Sequence, residues 1–152
     1  MVDDTATSGA VGLRVLVVGT DEWAIEQGAG SLAAAGHRSL RCHEPGEPAF
    51  PCNALIAGRT CPLDAGFDVI VTVRGRPAAQ PAPGEFGVVC AVRTGHPLVV
   101  AGLTMGNPFR PWADHTVTSD GDIATACEEA ASAGRSGDVD QVVDLVDHPT
   151  TA

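Results

Sequence analysis

Cys42, His43, Cys52 and Cys61 put three thiols and an imidazole within twenty residues of one another. Thiolates with one imidazole are a donor set for tetrahedral zinc, and thiolates alone can hold an iron–sulfur cluster. The spacing works against such a centre. Nine and eight residues separate the successive cysteines, and neither gap is the short Cys-x-x-Cys knuckle that presets two ligands. The same thiols can also stay inert or act as an oxidisable pair. We expect Cys42 at a strand edge, with at least one of Cys52 and Cys61 packed elsewhere as an apolar residue. The leading reading of this segment therefore has no cofactor, and zinc or iron–sulfur, with His43 as fourth ligand, is the alternative.

A second group comes after two apolar runs. Thr20, Asp21 and Glu22 lie directly beyond Val15-Leu16-Val17-Val18, and Arg74 and Arg76 lie beyond Asp68–Val73. Alternating guanidinium groups at a strand end suit bidentate capture of a phosphate or carboxylate, although the same pattern also makes an ordinary solvated loop. Elsewhere the signals are structural. His37 and His96 each follow a glycine, where turn roles prevail, and His115 beside Asp114 has no nucleophile that can be assigned to it. Cys90 and Cys127 sit in apolar runs and read as small buried hydrophobes. Phe109 and Trp112 read as a lid over the core. Gly28-Ala29-Gly30 falls inside a helix pattern instead of before one, which makes a poor dinucleotide fingerprint.

These residues must be carried by a single domain, which is what 152 residues accommodate. A hydrophobic fraction of 44% supports a packed core, and with 4% aromatics and no tyrosine it is a core of Val, Ala and Leu. The net charge of −10 repels phosphate backbones and anionic lipid, so neither nucleic acid nor membrane is expected as a partner. All nine basic residues are arginine. Without lysine, Schiff-base chemistry, a P-loop amine and a lysine base are excluded, because guanidinium does not give up its proton. A GC-rich bacterial coding bias accounts for the replacement. The first residues carry acids where a secretory leader carries cations, so 1–11 reads as a disordered lead. The apolar runs are far shorter than a membrane span, so a cytoplasmic setting is expected, and in that reducing compartment five cysteines, an odd number, argue against a disulfide framework.

The element pattern is α/β. Uniformly apolar strands at Val15–Val18, Asp68–Val73 and Pro97–Ala101 fit a sheet covered on both faces, with weaker strands at Arg38–Cys42 and His115–Thr118. Ile25, Ala29, Leu32 and Ala33 share one face of a helix that starts at Asp21 and stops at Gly36. Further helices are expected at Asn53–Gly58, Glu85–Thr94 and Asp122–Ala131. Three prolines in Glu44–Pro51 preclude regular structure there. Residues 12–133 thus form a doubly wound domain of about five parallel strands with helices on both faces. Residues 134–152 form an acidic tail in which Val139, Val142, Val143 and Val146 share the face of a possible short docking helix.

The order and spacing of these elements, and Asp68-Val-Ile-Val-Thr-Val-Arg-Gly-Arg-Pro77 in particular, resemble the receiver domains of response regulators, a flavodoxin-like fold. The resemblance covers Leu13 to Ala131. That family's acidic pair falls on Gly19 and Thr20, with Asp21 and Glu22 displaced onto the helix start. Its phospho-accepting aspartate falls on Val73, its hydroxyl residue falls near Ala101 or Gly102, and its lysine has no counterpart. The resemblance therefore implies a pseudo-receiver that cannot run Mg²⁺-dependent aspartyl phosphorylation. Its implied function is that of a non-catalytic regulatory or protein-interaction domain with a protein partner, a second copy of the chain being one possibility. The alternative is a small metal-binding or redox-sensing protein that uses Cys42, Cys52 and Cys61.

Overall fold

The computed structural model describes residues 12–76, 79–102, 106–118 and 122–133. The expectations for the lead and the acidic tail lie outside the described residues. Among the described residues five strands form one sheet: β1 Arg14–Gly19, β2 Arg38–Leu40, β3 Val69–Arg74, β4 Leu98–Gly102 and β5 His115–Val117. Every pairing is parallel and the order is β2-β1-β3-β4-β5, the doubly wound flavodoxin-like arrangement. Four described helices accompany it: α1 Glu22–Ala34, α2 Pro62–Ala65, α3 Gly87–Arg93 and α4, residues 123–133.

Strand alternation explains why the apolar runs are unbroken. Val15, Val17, Val69, Val71 and Val99 face α1 and α4, where they meet Ile25, Leu32, Ile123 and Cys127. Leu16, Val18, Ile70, Leu98 and Val100 face the other way, against Val88 and Ala91 of α3 and the ring of Phe67. With both faces covered, no position on a central strand is left for a polar residue unless it is paired.

Local differences from the sequence reading have local causes. Pro62 begins a short helix that was not expected, because a proline at the first helical position already has the φ the helix needs and lacks only an N–H that would go unused. The expected helix at Asn53–Gly58 is a single 3₁₀ turn, Asn53–Leu55. Helix α3 is shorter than Glu85–Thr94, with a separate 3₁₀ turn at Pro83–Glu85. Cys90 is exposed, not buried, since α3 turns Gly87, Val88 and Ala91 inward and 89 and 90 outward. Cys127 is fully buried, as its apolar surroundings suggested. Phe109 is in the core, whereas Trp112 is 54% exposed.

Candidate functional site

In this strand order the chain leaves β1 toward β2 and leaves β3 toward β4, so a crevice opens between the carboxyl ends of β1 and β3. A cleft of about 370 Å³ lies there, lined by Gly19, Thr20, Asp21, Glu22 and Ile25, by His43, Gly46, Glu47 and Ala49, and by Pro83 and Gly84. Its floor is glycine of necessity. A Cβ on Gly84 would stand 2.6 Å from the Gly19 carbonyl oxygen, so only glycine lets the Pro83–Glu85 turn cross the end of β1.

Thr20 and Asp21 organise the crevice instead of projecting into solvent. The Asp21 side chain caps α1, its Oδ1 accepting from the Ala24 N–H at 2.9 Å. The Thr20 hydroxyl donates to Asp21 Oδ2 at 3.3 Å and accepts from the Gly75 N–H at 3.1 Å, while the Thr20 N–H donates to the Val73 carbonyl. Glu22 is engaged by a residue that sequence reasoning passed over. The Arg41 guanidinium reaches both of its carboxylate oxygens, at 2.6 and 2.5 Å. On the loop wall Arg59 holds Glu47 in the same way at 2.6 and 3.1 Å, and chiefly that hydrogen bonding keeps the Glu47 carboxyl below its ordinary range. Two of the cleft's carboxylates are thereby matched with arginine. His43 is buried in this wall, with Nδ1 3.3 Å from the Glu44 carbonyl oxygen.

The two arginines expected to act together are separated. Arg76 is exposed. Arg74 turns into the protein and meets Glu85 bidentately, Nε to Oε2 at 3.0 Å and Nη2 to Oε1 at 2.8 Å, with the two side chains 1% and 0% exposed. The Thr72 hydroxyl and the Ala82 N–H also donate to Glu85, and Arg74 donates to the Gln80 carbonyl. This buried network pins the Pro-rich segment over the sheet, which defines the cleft's third wall. Neither arginine lines the cleft. Glu85 gave no warning in the sequence, where an acid near a helix start is the commonest of features.

The cysteines gather only loosely. Among the described residues no three His, Cys, Asp or Glu side chains converge in a way that would hold a metal ion. Cys42 nonetheless lies near three other thiols. Burial pushes its own thiol up to about 12, and Cys52, Cys90 and Cys61, in that order, add to the effect. His37 and His96 are structural. His37 Nδ1 accepts from the Leu13 N–H at 2.9 Å, which leaves the proton on Nε2 to donate to Glu128 at 2.7 Å. His96 stacks on Phe67 with ring centroids 4.1 Å apart. Asp114 accepts from the Leu98 N–H and donates its own N–H to the Leu98 carbonyl, which ties the lead into β5 to the start of β4, while His115 Nδ1 lies 3.8 Å from Glu129.

Strand order, crevice and covered faces together define a flavodoxin-like α/β domain. In comparisons with known proteins, no family model, curated protein or solved structure matched the chain.

Proposed function

We propose that this chain is a receiver-like regulatory domain that works by protein interaction at its strand-end cleft, without phosphoryl transfer. The carrying observation is the set of residues that fills the crevice. At the end of β3, where a receiver would present its acceptor carboxylate, stands Val73, only 7% exposed and packed in the core. Beside it the exits of β1 and β3 are stitched by the Thr20–Val73 and Thr20–Gly75 hydrogen bonds. The nearby carboxylates of Glu22 and Glu47 are satisfied by Arg41 and Arg59. A Mg²⁺ ion needs carboxylate oxygens that are not already neutralised, and phosphorylation needs a nucleophile.

The rim supports an interaction role. Trp23, Phe50 and Phe86 are 64%, 66% and 53% exposed; in the chain Trp23 and Phe50 adjoin the cleft residues Glu22 and Ala49, and Phe86 lies just beyond Gly84. Exposed aromatic side chains are the kind of anchor that protein interfaces use.

Two measurements test the reading. Incubation with Mg²⁺ and acetyl phosphate should leave the intact mass of the protein unchanged, and an acyl phosphate on Asp21 or Asp68 would refute it. A photo-crosslinking residue at position 23 should capture a discrete protein in cells, whereas one at Thr94, at the opposite end of the sheet, should not. Equal capture at both positions would refute the assignment of the cleft.

A further inference from the structure

The loop that walls the cleft begins and ends at a thiol. Residues 43–51 lie between Cys42 and Cys52, and they carry His43, Gly46, Glu47 and Ala49 of the cleft lining. The two ends are tied by a backbone hydrogen bond, with the Asn53 N–H donating to the Cys42 carbonyl at 2.6 Å. From that oxygen back to Cα of Cys42, and from that nitrogen back to Cα of Cys52, standard backbone dimensions each span about 2.4 Å. The two Cα atoms are therefore held within roughly 7.5 Å, a limit just beyond the roughly 4.4 to 6.8 Å that disulfides span. Both residues are partly exposed. The Cys42 sulfur lies against the start of α3, where a Cβ on Gly87 would come within 2.8 Å of it.

We propose that a peroxide-class oxidant converts Cys42 and Cys52 into a reversible disulfide that closes a covalent ring around the loop 43–51 and so stiffens one wall of the cleft. This closure depends on the thiol geometry and holds whether or not the domain is receiver-like. Cys52, as thiolate, attacks one peroxide oxygen. The O–O bond breaks, a sulfenic acid forms on Cys52, and the departing hydroxide takes up a proton as water. The Cys42 sulfur then displaces hydroxide from the Cys52 sulfur and loses its proton, which gives the S–S bond and a second water. Two thiols are oxidised by two electrons and one hydrogen peroxide is reduced to two waters. Burial disfavours the Cys42 thiolate, so Cys52 is the thiol that reacts with the peroxide first. A dithiol reductant reverses the bond by exchange.

Arginine placement makes the test direct. Trypsin cuts after Arg41 and Arg59, so Cys42 and Cys52 share the peptide 42–59, while Cys61 and Cys90 fall in other peptides. The full chain is treated with hydrogen peroxide, alkylated and digested without reductant. The 42–59 peptide should be lighter by two hydrogens and carry no alkyl group, and dithiothreitol should restore both alkylations. Cys52→Ser should abolish the closure, whereas Cys90→Ser should leave it intact, with circular dichroism showing both variants folded. Hydrogen exchange over 43–51 should slow on oxidation. A cross-link from 42–59 to the peptide of Cys61 or Cys90, loss of closure in Cys90→Ser, or full alkylation of Cys42 and Cys52 while Cys90 is oxidised would overturn the proposal.

Discussion

Removing the Glu85 carboxylate is the most demanding perturbation of this structure. Its two oxygens accept from Thr72 at 2.9 Å, from Arg74 at 3.0 and 2.8 Å, and from the Ala82 N–H at 2.9 Å, with the Arg74 and Glu85 side chains both out of contact with water. In Glu85→Ala the Arg74 guanidinium stays in the interior without its counter-charge, a situation that costs about 3 to 5 kcal/mol. Folding stability for a domain is about 5 to 15 kcal/mol in total, so this one change removes a large share of it. Glu85→Gln keeps the shape and one acceptor but turns an amide N–H₂ toward donors, and should cost about 1 to 3 kcal/mol. Urea unfolding followed by tryptophan fluorescence measures both. The double variant Arg74→Met, Glu85→Leu should be more stable than Glu85→Ala alone, because well-packed apolar groups replace a buried ion pair at little cost. A Glu85→Ala loss below about 1 kcal/mol, or a double variant no better than the single, would refute the reasoning.

Alkaline pH should unfold the protein by a defined route. Burial raises the Cys127 thiol from an ordinary 9.0 to about 12, so below pH 9 both folded and unfolded chains hold the proton. Between those values only the unfolded chain releases it, so stability falls as pH rises, by on the order of 1 kcal/mol per pH unit. The urea midpoint should drop between about pH 9 and about pH 11; burial raises Cys42 in the same way, so Cys127→Ala should remove about half of that drop. Asp21→Ala should cost about 1 kcal/mol by uncapping α1, with Asp21→Asn restoring most of it in the same assay.

The architecture was largely legible because its determinants are local. Apolar runs such as Val15–Val18 specify strands buried on both faces, and Asp21 and Gly36 mark where α1 begins and ends. The site was legible in part. The rule that ligands meet open α/β sheets at strand ends grouped Thr20, Asp21 and Glu22 with Arg74 and Arg76; the first three line the cleft and the two arginines do not. Arg74 was read as projecting from a strand end toward an anion, whereas it closes a network with a glutamate eleven residues on. The buried Cys90 that the run Gly87–Val92 suggested is exposed, because a seven-residue helix has only one inward face.

From the sequence alone came the single α/β domain, the parallel strands and the exclusion of lysine chemistry. Each of these rests on composition or on periodicity along the chain, which act without knowledge of what folds against what. Tertiary structure alone decided the partners: Arg74 with Glu85, Arg41 with Glu22, Arg59 with Glu47, and the Cys42 carbonyl with the Asn53 N–H. Charge pairing and burial depend on distances across the fold that spacing in sequence does not encode. An arginine reads the same in a sequence whether it faces water or a buried carboxylate, and only the packed sheet with its crossing loops determines which.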